Sequence, residues 1–216
     1  MSLTPRTEEP LKETLTLPSN TLIFLRGQPT SGKTSLLEAA KRDYLFKIID
    51  PDITRAEPAE FEEYVRRRVK DDKEFTGLDI RTQLYRFHID MCIKALQDGE
   101  AVVWAQPWSV IEGVDLTIET MRERISPELV IAVVELIIPD DVARQRVIER
   151  ADHPLTIGDY DSHFRGRFET IGQPPDDAPY AHILLGANSA EYNLRAFLQL
   201  LSDLYSLKSK SAGTDC

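Results

Sequence analysis

The chain has 216 residues, 42% hydrophobic and 29% charged, a composition that suits one globular domain with a sizeable core. A formal charge of −10 and a pI near 5.0 argue against nucleic acid as the main partner, and no apolar run reaches the length of a membrane span. Cys92 and Cys216 make no disulfide framework and are expected as free thiols in a reducing cytoplasm.

Met1 to Pro18 is polar, rich in Thr, Glu and Pro, and lacks the apolar centre of a secretory signal; residues 1–20 are expected as a flexible tail ahead of a domain spanning 21–207. Thr21–Arg26 reads as a buried strand. It runs into Gly27-Gln28-Pro29-Thr30-Ser31-Gly32-Lys33-Thr34, a complete G-x-x-x-x-G-K-[ST] phosphate-binding loop, and Ser35–Arg42 after it reads as a helix. Gly27 and Gly32 permit backbone conformations that a Cβ would obstruct, so successive N–H groups can turn toward one phosphate at the positive end of the helix dipole. Lys33 is expected on the β- and γ-phosphates, the Thr34 hydroxyl on Mg²⁺, and Gly27 to Ser35 as the cradle of a nucleoside triphosphate.

Leu45–Asp50 is a second strand, ended by Pro51. Asp50-Pro51-Asp52-Ile53-Thr54-Arg55 follows it directly. A carboxylate here can accept the proton of an attacking hydroxyl or help orient Mg²⁺, and an arginine three residues on can hold an anionic group. The competing reading is an Asx-Pro turn with solvated charges. Pro58 to about Lys73 and Leu78–Gln97 read as helices, the second with an apolar stripe of Leu84, Phe87, Met91, Ala95 and Leu96, stopped by Asp98-Gly99. His88 reads as a helix-face residue. Ala101–Ala105 is a third strand; it ends in Gln106 where a P-loop protein often carries an acid, so Gln106 is expected to touch substrate or water without supplying charge. Trp104 and Trp108 serve either core packing or ring stacking.

Asp115–Arg124 reads as a helix, Leu129–Ile138 as a strand covered on both faces, and Asp141–Arg150 as a helix capped by Pro139-Asp140. Arg144, Arg146, Arg150, Arg165 and Arg167 bracket a loop rich in Asp, His and Gly, a pattern that suits a lid over about 150–167. Arg150 is the expected catalytic arginine, Arg144 and Arg165 the expected phosphate or substrate contacts; a solvated face of Glu–Arg pairs is the alternative. Ala181–Leu185 is a fifth strand, Ala190–Leu207 a final helix, and residues 208–216 a second flexible tail. His88, His153, His163 and His182 show no metal-ligand spacing. The alternation implies a three-layer α/β/α sandwich around a mostly parallel five-stranded sheet, with ligands beyond the carboxyl ends of its strands.

On these residues the chain resembles the P-loop kinase superfamily of small-molecule and nucleotide kinases. Gly27 to Leu36 with Ile49-Asp50-Pro51-Asp52-Ile53-Thr54-Arg55 is similar to the zeta-toxin-like group, whose members show G-Q-P-x-[SA]-G-K-[ST] and then I-D-x-D-x-x-[RK]. The resemblance covers about the first third of the chain. It implies a P-loop NTPase fold with a short helical lid, ATP and Mg²⁺ as cofactors, a sugar-like or nucleotide-like hydroxyl as acceptor, Asp52 as base and metal support, and Asn188 near the adenine. The group's acidic E-G-T segment on the third strand is replaced by Trp104-Ala105-Gln106. Three functions follow as expectations: an ATP-dependent small-molecule kinase using Lys33, Asp52 and Arg150 with Asp50, Arg55, Gln106 and Arg165 around the acceptor; a nucleotide-binding regulatory ATPase; and a toxin-type kinase.

Overall fold

The computed structural model describes residues 14–150, 155–171, 180–186 and 189–211. In chain order the strands are β1 (Leu15–Thr16), β2 (Thr21–Gly27), β3 (Tyr44–Leu45), β4 (Lys47–Ile49), β5 (Val102–Ala105), β6 (Val130–Leu136) and β7 (Ala181–Leu185). The helices are α1 (Lys33–Ala40), α2 (Pro51–Ala56), α3 (Ala59–Asp71), α4 (Lys73–Thr76), α5 (Ile80–Gln97), α6 (Ile111–Arg124), α7 (Asp140–Glu149), α8 (Ile157–His163) and α9 (Ala190–Ser211). Five strands form one parallel sheet in the order β4-β5-β2-β6-β7. Because β2 is central, with Leu22–Leu25 beside Val102–Ala105 and again beside Ile131–Val134, the phosphate loop at its carboxyl end sits in the middle of the rim.

The period-two alternation of the strands divides the core into two layers. Ile23, Leu25, Val103, Val134 and Leu136 face α1 and α9, where Leu37, Phe197 and Leu201 are fully or almost fully buried. Leu22, Phe24, Trp104, Ile131 and Val133 face α5 and α6, against Cys92, Ile93, Ile118 and Met121. Each such side chain contributes roughly 1.5–3 kcal/mol of transfer free energy. The result is the expected three-layer sandwich. In α5 the buried stripe is Phe87, His88, Ile89, Cys92, Ile93, Ala95 and Leu96, shifted from the expected one.

Two other differences have local causes. Residues 15–17, expected in the N-terminal tail, belong to the fold: β1 pairs with β3, and Leu17 is wholly buried beside α1 and α9. The segment after β4 is a helix as well as a candidate site. Asp50 is its N-cap, accepting the N–H of Asp52 at 2.8 Å, and Pro51 supplies the preset φ of a first helical residue.

Candidate active site

The loop between β2 and α1 is held from below. A Cβ on Gly27 would lie 2.4 Å from the Leu136 carbonyl oxygen, so only glycine fits where the loop leaves the sheet. Gly32, at φ 103°, caps α1 in the left-handed region. Thr30 is also left-handed, at φ 65°, a conformation costing a non-glycine residue roughly 1–2 kcal/mol. It is tied down by two bonds to α7: its hydroxyl donates to the Ala143 carbonyl (3.1 Å), and Arg146 donates to its own carbonyl (3.1 Å). The Lys33 ammonium donates to the carbonyls of Gly27 (2.8 Å) and Gln28 (2.9 Å), folded over the loop. Burial pushes its pKa down to about 8, against the pull of Asp50 and Asp52. Turned backbone N–H groups, a short-range ammonium and the hydroxyls of Thr34 and Ser35 are the donor set of a phosphate and a hard cation, so these residues fit a Mg²⁺-nucleotide.

Above the loop lies a cavity of about 740 Å³. Pro29, Thr30, Gly32, Lys33, Thr34 and Ser35 form its floor; Asp50, Asp52, Arg55 and Arg81 line the α2 side; Gln106, Ser109 and Val110 its back; and Arg150, Asp159, His163 and Arg167 the α7–α8 side. Gly27, Gln28 and Ser31 stand behind this lining, all three buried. Gln106 reaches the rim because its N–H continues the ladder to the Leu25 carbonyl at 3.2 Å.

The two carboxylates after β4 differ. Asp50 is engaged as the helix cap, and burial raises its pKa. Asp52 is more than half exposed and pairs with Arg55 one helical turn on. Below them Thr54 shares a 2.9 Å hydrogen bond with His88, which is 1% exposed rather than on an outer helix face. Burial, aided by Arg55, pushes His88 down to about 4, so a neutral imidazole ties α2 to α5.

The α7–α8 side has its own small core, with Tyr160 of α8 packed on Ile138, Ala143 and Val147. Asp140 joins it to the phosphate loop. Expected as a helix cap, its carboxylate instead accepts the Gln28 side-chain amide and the Gly166 N–H (2.8 Å), and the Tyr160 hydroxyl lies 3.4 Å away. Arg150 lines the cavity as expected. Arg144 and Arg165 do not: Arg144 pairs with Asp161 (2.9 Å), and both line a separate recess with Asp140, Asp141 and Gln145. Arg144 lies within α7, whereas Arg150 is its C-cap, with φ −91° and ψ 80° already outside the helix, so the two side chains line different recesses. Asn188 and the lid residues 151–154 lie outside the described residues.

Sequence reasoning did not single out Arg81, nor did it select Arg167 from the arginine cluster. Arg81 had a readable signal: it opens the helix that precedes β5, and a helix leading into a parallel strand starts at the carboxyl rim.

Behind the cavity a buried network fixes the chain's return from the lid. Arg26 meets Glu135 at 2.5 Å, both fully buried, and donates to the carbonyls of Trp108 (2.6 Å) and Glu169 (2.7 Å). Glu135 also accepts the Ile171 N–H (3.1 Å) and faces the His182 ring at 2.7 Å. The Glu169 N–H reaches the Ser109 carbonyl (3.0 Å), so Glu169 is stitched to the β5–α6 loop and Ile171 to β6.

A phosphate loop on the central strand, carboxylates after β4 and a small helical layer over the rim define a P-loop α/β protein with the fold of the small-molecule kinases. A family model for the AAA domain matches residues 22–164, and the chain belongs to that family. No curated protein matches it. In fold it is similar to a sugar kinase from Janibacter sp. HTCC2649, at 16% identity and TM-score 0.57 over 85% of this chain and 94% of that one. It is also similar to a provisionally assigned kinase from Chloroflexus aurantiacus J-10-fl, at 16% identity and TM-score 0.53 over 86% and 98%. At that identity the likeness concerns the fold.

Proposed function

We propose that this chain is an ATP-dependent phosphotransferase that moves a γ-phosphate to a hydroxyl of a small molecule such as a sugar, nucleoside or sugar nucleotide. The observation carrying this reading is that one cavity is lined by the phosphate loop, by Asp52 after β4, and by Arg150 and Arg167 from the lid side. Lys33, Thr34 and the loop N–H groups hold the β- and γ-phosphates and Mg²⁺, which together supply charge neutralisation at the transferring group. Asp52 takes the proton of the attacking hydroxyl, since Asp50 is occupied in capping α2. Arg150 reaches the phosphates when α8 closes over them, and Gln106 orients the acceptor or a water.

The test is ATP consumption with Mg²⁺ against a panel of sugars, nucleosides and sugar nucleotides, with variants as controls. Lys33→Ala abolishes turnover; Asp52→Asn retains ATP binding and loses transfer. Full transfer by Asp52→Asn removes Asp52 from the mechanism. One observation favours a second reading, a regulatory nucleotide-binding ATPase: β5 is followed by Gln106 where a carboxylate would support the metal. It requires tight ATP binding with slow hydrolysis that no acceptor stimulates.

A further inference from the structure

We propose that the acceptor carries an anionic group, a carboxylate or a phosphate, bound between Arg55 and Arg81 on the β4–β5 side of the phosphate loop. This rests on the phosphotransferase reading and specifies its substrate. The chain as a whole is strongly acidic, at −10, yet its cavity reverses the sign: Lys33, Arg55, Arg81, Arg150 and Arg167 face it against Asp50, Asp52 and Asp159. The cations fall into two groups. Arg150 is the C-cap of α7, which follows β6, and Arg167 follows α8; both stand on the lid side of the central β2 loop. Arg55 on α2 and Arg81 at the start of α5 stand on the other side, above β4 and β5. Lys33 and the lid arginines suffice for the charge of a Mg²⁺-bound triphosphate. Arg55 and Arg81 lie on the side where the acceptor must approach Asp52.

Neither is held by a strong internal partner. Among the described residues Arg81 makes no ion pair, and the partner of Arg55 is Asp52, in a pair whose side chains are 62% and 58% exposed. Such a contact contributes little and exchanges readily, whereas a carboxylate or phosphate can engage guanidinium groups by charge-assisted, bidentate bonds. An acceptor anion that takes Arg55 also releases Asp52. The hydroxyl of that acceptor then gives its proton to the Asp52 carboxylate as its oxygen bonds to the γ-phosphorus. The bond from that phosphorus to the β–γ bridging oxygen breaks, and ADP leaves. The anion is thereby the feature that distinguishes a substrate from a neutral polyol of the same size.

The experiment compares three probes sharing one carbon skeleton: glucose, gluconate and glucose 6-phosphate. Binding is measured by calorimetry with Mg²⁺ and a non-hydrolysable ATP analogue filling the phosphate loop, and ATP consumption is measured in parallel. We expect gluconate or glucose 6-phosphate to bind at least ~10-fold tighter than glucose, the better of the two identifying the anion as carboxylate or phosphate. Arg81→Gln lowers that anion's affinity by roughly 10–100-fold and leaves glucose unchanged, the loss of a charged hydrogen-bond pair; Arg81→Lys restores part of it. Arg150→Gln weakens the nucleotide and not the acceptor anion. Circular dichroism verifies that each variant is folded. Equal binding of all three probes, no binding of either anion, or anion binding indifferent to Arg81→Gln overturns the proposal. Arg81-dependent anion binding without turnover of any acceptor keeps the site and overturns phosphotransfer; turnover confined to neutral acceptors does the reverse.

Discussion

Replacing Glu135 by Ala tests the buried network that joins the sheet to the returning lid segment. The carboxylate and the Arg26 guanidinium are both fully buried and 2.5 Å apart, so removing one leaves the other charged without its counter-ion. Breaking a buried pair from one side costs about 3–5 kcal/mol. Arg26 keeps the carbonyls of Trp108 and Glu169, which places the expected cost at the lower end, about 3 kcal/mol. For a domain of this size that is a fall in Tm of roughly 6–12 °C. The Ile171 N–H and the His182 ring lose a partner as well, so amide exchange at residues 169–171 rises beyond what global destabilisation explains. Urea and thermal melts followed by circular dichroism measure the first effect, and hydrogen exchange the second. The double variant Arg26→Met/Glu135→Leu removes both charges and recovers most of the lost stability. A Glu135→Ala protein within 1 kcal/mol of the parent, or a double variant no better than the single one, would refute the assignment of a mutually dependent pair.

Two more perturbations probe the elements around the cavity. Asp140→Ala removes the acceptor shared by Gln28 and Gly166, uncoupling phosphate loop from lid; KM for ATP rises about tenfold and residues 155–167 become more sensitive to protease, while Asp140→Asn recovers part of both. Unchanged KM and unchanged cleavage would show that the loop needs no such tie. His88 sits below its ordinary pKa of 6.5, at about 4, so the unfolded chain takes up the proton first. Its contribution is therefore fully present above pH 6.5 and declines as pH falls toward 4, by about 2 kcal/mol between pH 6.5 and 5. In His88→Gln that part of the acid sensitivity disappears; parallel urea midpoints for parent and variant at pH 7 and pH 5 would contradict it.

The layered sheet was legible because its strands are nearly continuous apolar runs, as at Leu129–Ile138, and its loop because Gly27, Gly32, Lys33 and Thr34 hold fixed spacings. What escaped reading involved partners remote in sequence. Gln28 and Asp140 are 112 residues apart and Arg26 and Glu135 are 109, and nothing in either local pattern announces the other. Leu15-Thr16-Leu17 reads as tail because it is short and flanked by polar residues; its place in the fold comes from the ladder to Tyr44–Leu45 and from burial against α1 and α9. Arg144 and Arg165 depart from expectation while Arg150 does not, for a geometric reason. Composition marks an arginine cluster, but the end of α7 at Glu149 separates Arg150, which lines the cavity, from Arg144, which pairs with Asp161.

The aromatic cluster behind Gln106 gives the protein an optical property. The chain contains two tryptophans, and both are there: Trp104 fully buried, Trp108 nearly so, with ring centroids 5.0 Å apart and Tyr85 6.0 Å from Trp104. Their emission is therefore blue-shifted and shielded from aqueous quenchers, and the excited state passes readily between the two indoles. Trp108 lies between Pro107 and Ser109, which line the cavity wall, and its own carbonyl is gripped by Arg26. A ligand that shifts that wall is expected to reorient Trp108 against Trp104, and titration of nucleotide followed by intrinsic fluorescence would read it without an engineered dye.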